Sequence, residues 1–110
     1  MTYDEDLAAR IRAALSFEPD VTERRMFGGC AFLLAGNMVG AASGSGGLML
    51  RVDPAAAGPL LAAVGVLPVV MKGRPLNGWL HVAEEQLQTE AALRDWLDHG
   101  LAFVRTLPAK

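Results

Sequence analysis

Residues 21–52 read VTERRMFGGCAFLLAGNMVGAASGSGGLMLRV, and from Met26 to Leu50 this stretch carries no charged residue. Short β-prone runs broken by glycine are typical of successive strands joined by tight turns. Gly36-Asn37 is a two-residue hairpin signal, because both residues tolerate positive φ. Ser43–Gly47 has the composition of a flexible loop. The stretch therefore predicts four strands, at Val21–Phe27, Cys30–Ala35, Met38–Ala42 and Leu48–Val52.

The Gly28-Gly29 pair follows the first predicted strand and invites comparison with a phosphate-binding loop. Such loops lead into a helix, and the P-loop form also carries a lysine. Here the chain continues as Cys30-Ala31-Phe32, a β pattern, and no such lysine follows. Gly28-Gly29 is therefore predicted to form a β-bulge or bend.

Outside this stretch the pattern alternates between helix and strand. Thr2 and Glu5 fit a capping box that opens an N-terminal helix. Asp53-Pro54 opens a short helix that reaches about Val64. Thr89 caps a C-terminal helix with one apolar stripe. We also expect strands at Val66–Met71 and Trp79–Ala83, separated by a turn-rich loop at Lys72–Gly78.

This order of elements predicts an α+β domain. We expect a single antiparallel sheet of about five to six strands, with a mixed sheet as the alternative. The N-terminal and C-terminal helices and one short internal helix would pack against it. A length of 110 residues with 52% hydrophobic residues fits one domain with a substantial core.

Composition also indicates the cellular compartment in which the protein functions. The single cysteine, Cys30, excludes an internal disulfide, and the acidic N-terminus is unlike a signal peptide, so we expect a cytoplasmic protein. The uncharged runs Met26–Leu50 and Pro54–Met71 contain glycines or prolines that interrupt a helix, so we expect no membrane insertion.

Charge is unevenly distributed along the chain. Residues 24–80 contain five basic residues against the single acid Asp53, whereas both ends are acidic. The basic residues are Arg24, Arg25, Arg51, Lys72 and Arg74. We expect the acidic terminal helices to pair with these basic strand ends. The alternative is an anion- or partner-binding patch.

Residues capable of catalysis or metal binding are few. Cys30 lies in an apolar strand, His81 alternates with Leu80 and Val82, and His99 lies on the polar flank of the last helix. Their spacing matches neither a nucleophile–base pair nor a zinc site. The sequence thus predicts no catalytic residues, no metal and no cofactor.

Several motifs resemble the TfoX/Sxy N-terminal domain family in order along nearly the whole chain. The specific parts are the Met-Phe-Gly-Gly motif and the Gly-Arg-Pro…Gly-Trp motif. The residues that carry these and the Gly-Asn turn are Met26, Phe27, Gly28, Gly29, Gly36, Asn37, Gly73, Pro75, Gly78 and Trp79.

The resemblance implies a small α+β domain with a regulatory, protein-interacting role, and it does not imply an enzyme. The best-known members of the family are two-domain bacterial regulators of natural competence, described as acting with another transcription factor. The present chain stops at Lys110, so we expect a stand-alone N-terminal domain. It also departs from the family pattern at Arg25 and Asn77, where lysine is expected.

Three functions follow as hypotheses. The first is an interaction module that binds a protein partner through a sheet face or edge. The second is an anion or nucleic-acid binder using the five basic residues, although the isoelectric point of about 5.6 and the lack of a recognition helix argue against it. The third is a small-molecule enzyme. An open sheet edge or apolar face would also allow a homodimer.

Overall fold

The computed structural model describes residues 3–26 and 28–110. These residues form one antiparallel sheet and three helices, which confirms the predicted α+β class. The elements are α1 Glu5–Ala14, β1 Val21–Met26, β2 Gly29–Leu34, β3 Asn37–Ala42, β4 Leu48–Arg51, α2 Pro54–Leu61, β5 Val66–Met71, β6 Arg74–Val82, a 3₁₀ turn at Glu84–Leu87 and α3 Glu90–Val104.

The sheet has six strands in the order β1-β2-β3-β4-β6-β5, and every neighbouring pair is antiparallel. The first four strands form a meander. The chain then crosses through α2 to the far edge and returns as β6 beside β4. Strands β1 and β5 are therefore the two edges of the sheet.

The helices cover one side of the sheet and enclose the main core. In α3 the predicted stripe is buried at Leu93, Leu97, Gly100, Leu101 and Val104. Gly100 allows a close approach, since a Cβ there would lie 2.8 Å from Leu50 Cδ1 and 3.1 Å from the Arg51 carbonyl oxygen. The largest buried side chain is Phe32 of β2.

Helix α1 begins differently from the prediction. Its N-cap is Asp4, whose Oδ1 accepts hydrogen bonds from the Asp6 and Leu7 amides at 2.9 and 3.2 Å. Thr2, the predicted cap, lies outside the described residues. The predicted caps Asp53 and Thr89 are confirmed, with their side-chain oxygens accepting from Ala55 and Ala92 amides respectively.

The turn between β2 and β3 lies one residue earlier than predicted. Ala35 and Gly36 form it, with φ of 51° and 87°, and Leu34 pairs directly with Asn37. A two-residue turn with both φ values positive matches the right-handed twist of the flanking strands. Asn37 is instead the first residue of β3, and its buried side chain has a partner elsewhere in the chain.

The loop predicted at Lys72–Gly78 is mostly strand. Only Lys72 and Gly73 form the turn, with φ of 53° and 77°, and β6 begins at Arg74 opposite Met71. The ladder with β5 then shifts register between the pairs Val70–Pro75 and Pro68–Leu80, so that residues 76–79 of β6 lie opposite the single residue Val69 of β5. Gly78 has φ of 85°, and its carbonyl accepts a hydrogen bond from the Val52 amide at 2.7 Å.

Of the β-bulge or bend predicted at Gly28-Gly29, the structure has the bend and not the bulge. Pairing between β1 and β2 is continuous up to Met26 opposite Gly29, so the pair belongs to a tight hairpin. Gly28 has φ of 74°. Gly29 is needed for space, because a Cβ there would lie 2.6 Å from the Ala42 carbonyl oxygen. Phe27 lies outside the described residues.

Candidate functional site

The side of the sheet opposite the helices is termed the open face. Its floor is a small second cluster of buried residues, Ala31, Leu33 and Ala41. Met26 and Met38 are among the side chains that pack on this floor from above. Small floor residues beneath long flexible side chains leave space between those side chains.

That space is a cavity of about 150 Å³, termed the methionine cavity. Among residues 3–26 and 28–110 its lining is wholly apolar or aromatic and consists of Met26, Met38, Met49, Met71, Leu76 and Trp79. All four methionines of this described part of the chain line the one cavity. Methionine is flexible and polarizable, and it is over-used at surfaces that accept varied partners.

The cavity shows that the open face is concave. Met26 lies on edge strand β1 and Met71 on edge strand β5, with four strands between them. In a flat sheet these edges would be about 24 Å apart, at about 4.8 Å per strand spacing. Both side chains nevertheless line one small cavity. The β1 edge at Met26 and the end of the β5–β6 hairpin at Met71 therefore approach each other over the open face.

Three of the five predicted basic residues lie on the open face. Residues directly opposite each other in an antiparallel ladder point to the same side. Arg24 is opposite Ala31 of the floor, and Arg74 is opposite Met71 of the cavity. Both arginines are exposed; Arg24 is two residues from Met26 on β1, and Arg74 is paired with Met71 at the end of the β5–β6 hairpin.

Arg51 also lies on this face, opposite Trp79. Its guanidinium carbon is 5.7 Å from the Trp79 ring centre and 5.4 Å from that of Phe103. Such contacts are favourable cation–π interactions. Arg51 therefore supports the cavity wall and is less free to meet a ligand than Arg24 and Arg74.

The other two basic residues are placed elsewhere. Arg25 is opposite Cys30, whose side chain belongs to the main core, so Arg25 points to the helix side of β1. Lys72 is exposed in the β5–β6 turn. The five residues thus do not form one continuous patch, although Arg24, Arg51 and Arg74 share the open face.

Acidic residues are nearly absent from the strands. Of the twelve acidic residues, all lie in described parts of the chain and only Glu23 lies in a strand. Glu23 is opposite Phe32 of the main core, which places it on the helix side. The strand residues that register places on the open face therefore include arginines and no acids.

Ion pairing follows the same division. Between described residues the ion pairs are Arg10–Glu90, Arg12–Glu23 and Arg105–Glu18. None of them involves the five basic residues of the predicted patch. The expected pairing of acidic helices with these basic strand ends is thus absent within 4.0 Å among residues 3–26 and 28–110.

The Glu23 carboxylate is the centre of a small polar group on the helix side. Arg12 Nη2 donates to Glu23 Oε1 at 2.7 Å, and this hydrogen bond lowers the pKa of Glu23. The Cys30 thiol donates to the same oxygen at 3.7 Å. Burial, together with the Glu23 charge, raises the pKa of Cys30, so its reactive thiolate form is disfavoured.

His81 lines a separate hollow of about 280 Å³ together with Ser45, Glu84 and Glu85. Its Nε2 lies 2.6 Å from the Gly46 carbonyl oxygen, and a carbonyl can only accept, so Nε2 is the donor. The Ser45 hydroxyl instead bonds to the Ser43 hydroxyl at 3.0 Å. A base with this nitrogen occupied cannot take a proton from Ser45 through it.

The remaining candidates for chemistry are dispersed. His99 packs against Trp96, with ring centres 5.9 Å apart. Within the described part of the chain, no group of three or more His, Cys, Asp or Glu side chains is arranged to hold a metal ion. No helix there is both long and apolar enough to span a bilayer.

Several residues of the recognised motifs have structural roles. Met26 and Trp79 line the cavity, while Gly36 and Gly73 hold positive φ in two hairpin turns. Sequence reasoning missed the other cavity side chains, Met38, Met49, Met71 and Leu76. A signal was present, because Met49 alternates with the core residues Leu48 and Leu50.

The fold and the open face together define a class: a small α+β domain with one sheet side buried and the other presented to solvent as a concave apolar surface. Residues 13–104 match the model of the TfoX N-terminal domain family. The chain therefore belongs to the TfoX N-terminal domain family. Comparisons with curated proteins and with solved structures gave no match.

Proposed function

We propose that this protein is a non-enzymatic interaction domain that binds a protein partner through the open face and serves a regulatory role in the cytoplasm. The observation that carries the proposal is the methionine cavity. Exposed apolar surface on a small domain commonly marks an interaction site. Membership in the TfoX N-terminal domain family supports a regulatory role.

The distribution of charge favours a protein partner over nucleic acid. Binding to a phosphate backbone relies on many basic contacts from one surface. Arg25 points to the helix side, Lys72 lies in the β5–β6 turn, and Arg51 is engaged by two aromatic rings. An apolar centre with a few charges at its edge is instead typical of a protein interface.

Polar geometry also favours binding over catalysis. The hollow at His81 contains a serine and two glutamates, yet His81 Nε2 and the Ser45 hydroxyl are each engaged by other groups. The cavity on the open face is lined by side chains that carry no acid, base or nucleophile. Neither place offers the nucleophile–base contact that catalysis requires.

A photocrosslinking experiment tests the proposal. Met71, which is 44% exposed and lines the cavity, would be replaced by p-benzoylphenylalanine in the protein expressed in its source organism. The same replacement at Asp95, exposed on α3, is the control for the helix side. We expect a discrete covalent adduct from position 71 and none from position 95.

The crosslinked protein would then be identified, purified and titrated directly against the unmodified domain. Met71→Lys should weaken this binding, because it puts a charge into an apolar contact. Adducts from both positions alike, or direct binding that Met71→Lys leaves unchanged, would refute the open face as the site. An adduct with the chain itself would identify a second copy as the occupant, and light scattering would then show a dimer.

A further inference from the structure

We propose that the ligand of the open face is an amphipathic helix of the partner protein, whose apolar anchor enters the methionine cavity and whose flanking acidic residues meet Arg24 and Arg74. This inference rests on the proposed function and specifies the class of partner. It follows from three separate properties of the face: its hydrogen bonding, the size of the cavity and the sign of the surrounding charge.

Backbone hydrogen bonding favours a helix over an extended strand. An added strand gains affinity from main-chain bonds to an exposed sheet edge. The backbone hydrogen-bonding groups of a sheet point sideways toward neighbouring strands and not out of its faces, and the cavity lies over the open face. A ligand at the cavity therefore finds side chains rather than free backbone groups. A helix satisfies its own backbone bonds and can dock on such a face by side chains alone.

The cavity sets the size of the anchor. A volume of about 150 Å³ is of the order that holds one benzene-sized group. A single leucine or aromatic side chain of the ligand would fill it. The four methionines can change rotamer to match the anchor, and Trp79 provides a rigid wall.

Charge complementarity indicates which residues of the ligand helix should lie on either side of its apolar anchor. Arg24 and Arg74 are both exposed on the open face. Arg24 lies on β1 near Met26, and Arg74 is paired with Met71, the two cavity residues that belong to the edge strands. Neither forms an ion pair with a described residue within 4.0 Å. No acid shares this face on any strand. Carboxylates on either side of the anchor would find these two guanidinium groups, whereas lysines there would be repelled.

Two short synthetic helical peptides test this chemistry. Both carry the same leucine stripe at i, i+3, i+4 and i+7, and the flanking residues are glutamates in one and lysines in the other. The protein would carry Trp96→Phe, so that Trp79 in the cavity wall reports occupancy by its fluorescence. We expect the glutamate peptide to bind at least about tenfold more tightly at low salt, with the difference shrinking as salt rises.

Adjacent arginines on β1 provide a matched control. Arg24→Glu should weaken binding of the glutamate peptide about fivefold or more, because it reverses a charge on the open face. Arg25→Glu reverses a charge one residue away that points to the helix side, and should leave binding unchanged. Met71→Gln, at an exposed position, should also weaken binding. Circular dichroism would verify that each variant is folded.

The proposal is overturned if the two peptides bind equally, if neither binds, or if Arg25→Glu weakens binding as much as Arg24→Glu. Preferential binding of a labelled DNA duplex over the glutamate peptide would likewise overturn it. These outcomes are distinct from failure of the proposed function. An adduct at position 71 with a protein that lacks an acidic amphipathic helix would retain the interaction role and reject this ligand class.

Discussion

The side-chain amide of Asn37 donates a hydrogen bond to the carbonyl oxygen of Pro108, 71 positions further along the chain, at 2.9 Å. Asn37 is only 3% exposed. Next to it, the Lys110 amide donates to the Ala35 carbonyl at 2.8 Å. The C-terminal segment is therefore fastened to the β2–β3 turn by a buried polar contact.

Asn37→Ala should lower the free energy of unfolding by about 1–3 kcal/mol, because it leaves the Pro108 carbonyl without this donor. Urea denaturation followed by circular dichroism measures the change. Asn77→Ala is the control, because Asn77 is exposed, and should change stability little. Equal stability of the Asn37→Ala variant and wild type would show that the contact does not stabilise the fold.

Gly28 and Gly29 should respond differently to asparagine. Gly28 has φ of 74°, which asparagine tolerates and valine does not, so Gly28→Asn should be much milder than Gly28→Val. At Gly29 any Cβ would lie 2.6 Å from the Ala42 carbonyl oxygen. Asparagine and valine at position 29 should therefore both lower the free energy of unfolding, by about 1–3 kcal/mol. Thermal denaturation of the four variants checks this, and equal effects of asparagine at both sites would contradict it.

Acid stability should depend on Glu23. Its pKa is lowered from 4.5 by the hydrogen bond from Arg12, so the folded state binds this proton less readily than the unfolded state. The stabilising contribution is present above pH 4.5 and is lost as the pH falls through the lower folded value. Glu23→Gln should therefore lose less stability than wild type between about pH 5 and pH 3.

Urea denaturation across this pH range measures the difference between the two proteins. Glu85→Gln, which alters an exposed carboxylate, serves as the control and should follow wild type. Parallel pH profiles for wild type and Glu23→Gln would contradict a role for the Arg12–Glu23 pair. High salt should reduce the effect, since the pair is partly exposed.

Cys30 should react with a thiol reagent only when the main core around it opens. The side chain is 3% exposed, and burial raises the pKa of the thiol, so the native state presents little thiolate. We expect modification to be on the order of a hundredfold slower in the native protein than in urea at the same pH. Comparable rates in both conditions would show that the core around Cys30 is already accessible in the native protein.

Local sequence signals predicted most of the elements, because apolar periodicity and capping residues act over a few positions. They did not predict the register of the β2–β3 turn. Gly36-Asn37 and Ala35-Gly36 are both compatible with a two-residue turn. The structure has the turn at Ala35-Gly36, which leaves the Asn37 side chain in β3, where it bonds to the distant Pro108 carbonyl. Arg74–Gly78 were predicted as a loop but belong to a strand, because β6 begins here by pairing with β5, a partner that local sequence does not reveal.

The candidate site was predictable only in part. Strict alternation along β1 places Arg24 and Arg25 on opposite sides, but the sequence alone does not say which side the helices cover. Met38 and Met49 occupy alternate strand positions that the pattern leaves ambiguous. The meeting of Met26 and Met71 at one cavity brings together residues of the two opposite edge strands, and no local pattern contains such a long-range contact.

The arginines of the open face have a consequence for how the molecule approaches others. A net charge of −2 suggests weak repulsion of acidic proteins. Arg24 and Arg74 nevertheless give the open face a local positive charge, because no strand acid shares that face. In the field of an acidic surface this local charge favours approach through the open face, so we expect the association rate to rise and to be sensitive to ionic strength.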